Sequence, residues 1–104
     1  MSISMDELSK RYDILSEGEV ILDVRTPDEF AEGHVPGAIN IPHEEVAARF
    51  DEIKDYKKIY IHCRSGNRVK QCRAMLSGFE GPELVYITCS GMMDWESSGN
   101  PIES

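Results

Sequence analysis

The chain has 104 residues, 40 % of them hydrophobic and 29 % charged, with a formal net charge of -8 at neutral pH. That length suits one compact domain over residues 1–104, and the composition is that of a folded chain rather than a disordered one. With 11 Lys and Arg against 19 Asp and Glu, nucleic acid is excluded as a default partner, because counterion release from phosphates needs clustered cations. The opening MSISMDELSKRYD lacks an apolar leader, and no stretch approaches the ~18 apolar residues of a membrane span. The expectation is a cytoplasmic protein without membrane contact.

Ser4 followed by Glu7 has the form of a capping box and predicts a first helix from Met5 to about Leu15, ending before Gly18. VILDV, residues 20–24, is a short apolar run suited to a buried strand. Thr26-Pro27-Asp28-Glu29 is a second helix start, with Thr as cap, Pro at the first helical position and Glu29 placed to complete a capping box. That helix must be brief, since Gly33 and the Pro36-Gly37 turn follow. AINIP (38–42) predicts another strand, and HEEVAARFDEI (43–53) a helix with Val46, Ala47, Phe50 and Ile53 on one face. KIYIH (58–62) predicts a third strand. Residues 67–77 predict a helix burying Val69, Cys72, Leu76 and Phe79, LVYIT (84–88) a fourth strand, and MMDWESS a last short helix closed by Gly99-Asn100-Pro101. Strands alternating with helices imply an α/β fold, a small mostly parallel sheet of four or five strands with helices on both faces. Ligands of such sheets sit beyond the carboxyl ends of the strands, where Cys63, Cys89 and the segment Asp23 to Arg25 all fall.

Cys63, Cys72 and Cys89 are too few for a disulfide framework, and their spacing matches no zinc motif. His34, His43 and His62 are scattered, so no metal site is expected. Cys63 is the thiol placed for chemistry. A free thiol titrates near pH ~8.5 and only the thiolate attacks. Here it stands where a strand turns into a helix, and unpaired N–H groups and the helix dipole favour an anion at such a point. Arg64 and Arg68 add full charges, and the small Ser65 and Gly66 let the backbone curl until amides converge on the sulfur. The same features would attract an anionic substrate. Against this stands the plain alternative that Cys63 finishes a buried strand beside two solvated arginines.

The segments LDVRTPDEF, EGHVPGAINIP and IHCRSGNR, followed by a helix and Trp95, closely resemble the single-domain form of the rhodanese family, over roughly residues 3–103. The resemblance implies a thiosulfate sulfurtransferase. Its loop cysteine, matched by Cys63, attacks the outer sulfur of a small anionic donor, sulfite leaves, and the persulfide passes to a thiol or cyanide. The loop Arg64, Ser65, Gly66, Asn67, Arg68 matches the segment that cradles the persulfide. Asp23 and Arg25 match a DVR motif expected to form an ion pair that supports the site, and Glu29 and His34 match architectural positions. No cofactor is implied, since sulfur exchange by a thiolate needs none.

Two rivals stand beside this reading. Cysteine phosphatases and arsenate reductases space Cys and Arg by five residues, where this chain has four between Cys63 and Arg68, a narrower ring. A persulfide carrier serving an acceptor protein would share the loop and turn over free thiosulfate poorly. Of the other residues, Cys72 is expected in the core, His62 on the face opposite Cys63, and His43 in solvent at a helix start. Thr88-Cys89-Ser90-Gly91 replaces the Gly-Gly turn typical of the resemblance, which makes Cys89 a possible second thiol for the Cys63 persulfide. Met92, Met93 and Trp95 are expected in the core, with an apolar rim to the site as the alternative.

Overall fold

The structure, a computed structural model, describes residues 3–104, so Met1 and Ser2 of the expected domain lie outside it. Strands β1 (Glu19–Asp23), β2 (Ile39–Asn40), β3 (Lys58–His62) and β4 (Glu83–Tyr86) form one sheet in the order β2-β1-β3-β4, with every neighbouring pair parallel. Before, between and after them run helices α1 (Met5–Ser9), α2 (Pro27–Glu32), α3 (Asn67–Met75) and α4 (Met92–Ser97). The α/β alternation read from the sequence is what the chain adopts.

Strands β1 and β3 form the middle of the sheet and are buried over their last four residues, which is why VILD and IYIH read as mostly apolar runs, each closed by one polar residue. Alternation then sends side chains to two cores. Val20, Leu22, Ile59 and Ile61 meet Val46, Phe50, Ile53, the α3 residues Val69 and Cys72, and Leu76 just past its end. On the other face Ile21, Tyr60 and Val85 meet Met5 and Leu8 of α1 and Met92 and Trp95 of α4. Each fully buried aliphatic side chain contributes about 1.5–3 kcal/mol, so both helical layers are held by the sheet rather than by their own short lengths. Among the described residues no helix is long and apolar enough to cross a membrane.

Both predicted capping boxes form. The Ser4 hydroxyl accepts the Glu7 N–H at 3.1 Å while the Glu7 carboxylate accepts the Ser4 N–H at 3.4 Å, and Thr26 and Glu29 exchange bonds of 3.3 and 3.2 Å. Several boundaries differ from the expectation. Helix α1 stops at Ser9, whose hydroxyl bonds back to the Asp6 carbonyl at 2.6 Å, and residues 10–13 continue as turns that leave Ile14 in solvent. The segment predicted as a helix over 43–53 is a chain of turns ending in a 3-10 turn, Phe50–Glu52. Its Val46, Phe50 and Ile53 are buried as expected, but most of its bonds close over three residues rather than four. β2 shrinks to two residues at the sheet edge, where Pro42 has no N–H to give. Phe79, expected in the core, is exposed and meets Phe50 edge-on at 4.8 Å.

β3 also buries a polar ring. His62 is fully buried, its Nδ1 is 3.4 Å from the Cys63 carbonyl, and its Nε2 has no partner among the described residues. Burial pushes its pKa below the ordinary 6.5, against the opposing pull of the Asp23 carboxylate and the Cys63 carbonyl. The ring is therefore neutral, donating from Nδ1. The unfolded chain takes a proton on this ring below pH 6.5 and the folded chain resists it, so the stability linked to His62 is complete above that pH and is lost on acidification. Urea denaturation as the pH falls from about 8 to about 5 should show a His62-linked loss of stability that begins only below about pH 6.5 and that His62→Phe removes.

Candidate active site

At the carboxyl edge of the sheet the segments following β1, β3 and β4 meet. Asp23 and His62 are register partners at the ends of β1 and β3, and the Ile87 N–H bonds the Ile61 carbonyl, so the three strands finish at nearly one level. Cys63 emerges there only 1 % exposed. The Gly66 N–H points back to its Sγ at 3.1 Å, and α3 starts one residue later. The curl that the small residues predicted is therefore present, with an amide donor directed at the sulfur.

The outer side of this loop is tied to the chain that follows β4. The Cys63 carbonyl accepts the Met92 N–H at 2.8 Å, and the Arg64 carbonyl accepts the Met93 N–H at 3.2 Å. All peptide bonds are trans, so the N–H groups of Arg64 and Ser65, opposite those carbonyls, face away from α4. Two glycines permit the contact. Gly66 has φ of +105° and a Cβ there would strike the Thr88 carbonyl, and a Cβ on Gly91 would strike the Cys63 and Arg64 carbonyls. Of the Thr88-Cys89-Ser90-Gly91 segment, Gly91 is thus the position that the packing dictates.

The charged residues fall into three tiers. Asp23 and Arg25 are buried and form a fork, with Arg25 Nε 3.0 Å from both carboxylate oxygens and Nη2 2.8 Å from Oδ2. The Arg25 Nη2 also donates to the Gly33 carbonyl at 2.6 Å, and Asn40 Nδ2 bonds the Asp23 and Arg25 carbonyls at 2.9 and 3.0 Å. The expected ion pair thus clamps the chain leaving β1 onto the end of α2. Next, the Arg68 Nη1 donates to Glu29 Oε1 at 2.6 Å. Burial raises the Glu29 carboxyl, but the Arg68 and Thr26 hydrogen bonds and the Arg68 charge outweigh it and hold the pKa at about 2. The Glu29 bond likewise raises Arg68 against burial, with smaller contributions from Glu29's charge and from Cys63 and Asp23. Third, Arg64 is exposed and makes no ion pair among the described residues.

The Glu29 to Arg68 link was not visible in the sequence, where Glu29 was the third residue of a capping box and an architectural position of the resemblance. It fills both roles, one oxygen accepting from Thr26 and Arg68 together. Ser65 and Asn67 are exposed on the loop. His34 stacks on Phe30 at 3.7 Å and its backbone pairs with Glu103, an architectural position as expected. His43 is half-buried rather than solvated, because its N–H completes the pairing to the Val24 carbonyl.

The three thiols separate clearly. Cys72 is buried in the core as predicted, and burial, followed by the charge of Cys63, pushes its pKa up to about 11. Cys89 is exposed on the segment that packs against the loop. Beside that loop, between α2 and α4, lies a cavity of about 400 Å3 with Arg64 on its wall. Met92 is core as expected and also borders the cavity, Met93 is exposed on its apolar rim, and Trp95 is core and donates its indole N–H to the Pro101 carbonyl at 2.7 Å.

A family model, Rhodanese-like domain, matches residues 4–98, and the chain belongs to that family. It is 34 % identical over 100 residues to a sulfurtransferase of Allochromatium vinosum, across 96 % of this chain and 92 % of that one. A Bacillus subtilis protein named for a sulfur-carrier role is 34 % identical over 93 residues, 89 % of this chain and 49 % of the relative. The chain therefore spans about half the length of that relative. The crystal structure of a rhodanese-related protein from Thermoplasma volcanium has a TM-score of 0.82 at 28 % identity, covering 98 % of this chain and 96 % of that one. These likenesses support a role in sulfur transfer.

Removing one partner of the buried fork leaves an uncompensated charge. Arg25→Met should lower the free energy of unfolding by about 3–5 kcal/mol, and adding Asp23→Leu should recover most of that loss, both read from urea denaturation.

Proposed function

We propose that the chain is a sulfurtransferase that moves a sulfane sulfur from thiosulfate, or a similar small anionic donor, to a thiol or cyanide through a persulfide on Cys63. The Cys63 thiolate attacks the outer sulfur of thiosulfate. A new S–S bond forms, the donor's S–S bond breaks, and sulfite departs with the electron pair. An acceptor thiolate then attacks the outer sulfur of the persulfide, and the electron pair returns to Cys63. Thiolate, persulfide and sulfite are all anions, and fixed N–H donors are suited to each in turn. The observation that carries this reading is the Gly66 N–H directed at Cys63 Sγ at 3.1 Å, on a loop whose outer carbonyls are tied down. Arg64, exposed beside it, supplies the positive charge for an incoming anion. The chemistry suits the cytoplasm, where thiols stay reduced.

Arg68, engaged by Glu29 at 2.6 Å, is not open to clasp a phosphate, which together with the short spacing speaks against phosphatase chemistry. The carrier reading keeps support from the Bacillus likeness and from the near-complete burial of Cys63, which would shelter a stored persulfide.

Mass spectrometry after incubation with thiosulfate tests the assignment. A gain of one sulfur atom is expected on the wild type and none on Cys63→Ser, with cyanide turnover falling to background in the variant. Retention of the added sulfur by the variant would overturn the role of Cys63. Loading of the wild type without steady-state turnover would select the carrier.

Within the same reading Cys89 is the second thiol. Its thiolate attacks the inner sulfur of the Cys63 persulfide, forming a Cys63–Cys89 disulfide and releasing hydrosulfide. Disulfide mapping after thiosulfate loading should find that crosslink, and a free Cys89 beside an oxidised Cys63 would remove it from the scheme.

A further inference from the structure

The cavity of about 400 Å3 beside the loop is of the order that holds a small organic molecule rather than only an inorganic anion. Five charged side chains line it, but two of them are already engaged. Arg25 is held by Asp23 and the Gly33 carbonyl, and Glu29 by Arg68. The remaining three are Arg64 from the loop, Glu32 at the end of α2 and Glu96 on α4, all exposed and without an ion pair among the described residues. Met92, Met93 and Ile102 supply apolar surface between these charges.

One free guanidinium and two free carboxylates define a ligand. A carboxylate matches Arg64, an ammonium group matches Glu32 and Glu96, and a short aliphatic body suits the methionines. A dianionic donor gains from Arg64 alone and is repelled by both glutamates, so this wall is not shaped for the donor. Cyanide has no group that would use it. Arg64 directly follows Cys63, so a carboxylate anchored there lies beside the loop that carries the thiol. The persulfide extends one S–S bond, about 2 Å, beyond the cysteine sulfur.

Resting on the sulfur-transfer reading, we propose that this cavity is the acceptor subsite and that it selects a small thiol bearing both an ammonium and a carboxylate, an amino-acid thiol of the cysteine type. The acceptor loses its thiol proton to solvent, and its thiolate bonds to the outer sulfur of the Cys63 persulfide. The bond between the two persulfide sulfurs breaks, Cys63 leaves as thiolate, and the product is the amino-acid persulfide.

The test uses protein loaded with thiosulfate and freed of donor, with the sulfur on Cys63 quantified by mass before each reaction. Loss of that sulfur is then timed with L-cysteine and with N-acetylcysteine, each rate expressed per acceptor thiolate. In the wild type cysteine should be favoured by about fivefold or more, the size of one well-placed ion pair, and the preference should approach unity in the Glu32→Gln/Glu96→Gln variant. Comparing the ratio within each protein removes any general effect of the substitutions on folding or loading. In the same assay Arg64→Gln should narrow the preference for cysteine over cysteamine, which lacks the carboxylate. Equal rates for cysteine and N-acetylcysteine in the wild type, or a preference that survives the double substitution, would overturn the subsite while leaving the persulfide assignment standing. Failure of Cys63 to load at all would instead overturn the sulfur-transfer reading beneath it.

Discussion

Two backbone hydrogen bonds, from Met92 to the Cys63 carbonyl and from Met93 to the Arg64 carbonyl, hold the conformation on which the site depends. A planar trans peptide carries its N–H opposite its C=O, so tying two consecutive carbonyls outward fixes where the next two amides point. The following amide, of Gly66, then reaches the Cys63 sulfur. The contact requires the segment after β4 to approach the loop as closely as backbone can, and only glycine at 66 and 91 allows it. The parallel pairing of β4 on β3 sets this approach, with Ile61 opposite Tyr86 and the Ile87 N–H on the Ile61 carbonyl. Sheet register is thereby transmitted to the thiol through a few bonds of fixed direction.

The charges around the loop are sorted by burial, and burial decides their use. The Asp23–Arg25 fork is in the core, where the desolvation of both ions offsets most of their attraction, so it fixes geometry more than it adds net stability. Glu29 and Arg68 are half-buried and join the first turn of α2 to the first turn of α3. Arg64 is exposed and uncommitted, which leaves it available to a ligand. A chain of net charge -8 can therefore present a local positive site, because its other nearby guanidinium groups already have carboxylate partners.

The fold was legible where one physical signal dominated. KIYIH matched β3 to the residue because a central parallel strand is buried on both faces and so mostly apolar, and the two capping boxes located the starts of α1 and α2 from side-chain chemistry alone. Periodicity over 43–53 identified the residues that are buried but not the backbone that buries them, since turns can place Val46, Phe50 and Ile53 on one side as a helix does. At the site, the cysteine loop was readable from its own residues and the Asp23–Arg25 pair from the DVR motif of the resemblance. The Glu29–Arg68 pair spans 39 positions and the cavity joins segments from Arg25 to Ile102, so both depend on tertiary arrangement that no short window contains.

Cys63 and Cys72 show why burial alone does not rank thiols. They lie in the same apolar cluster and are almost equally inaccessible. At Cys63 a backbone N–H approaches the sulfur at 3.1 Å, so the sulfur is an acceptor, a role suited to a negative charge. At Cys72 the neighbour is the His43 carbonyl at 3.9 Å, and the sulfur must keep its proton to make even that weak bond. Desolvation then pushes Cys72 toward the neutral thiol, with its pKa up to about 11. The direction of one nearby dipole thus separates a sulfur that accepts a hydrogen bond from one that keeps its proton and fills space, and that direction at Cys63 is set by the carbonyl ties to α4.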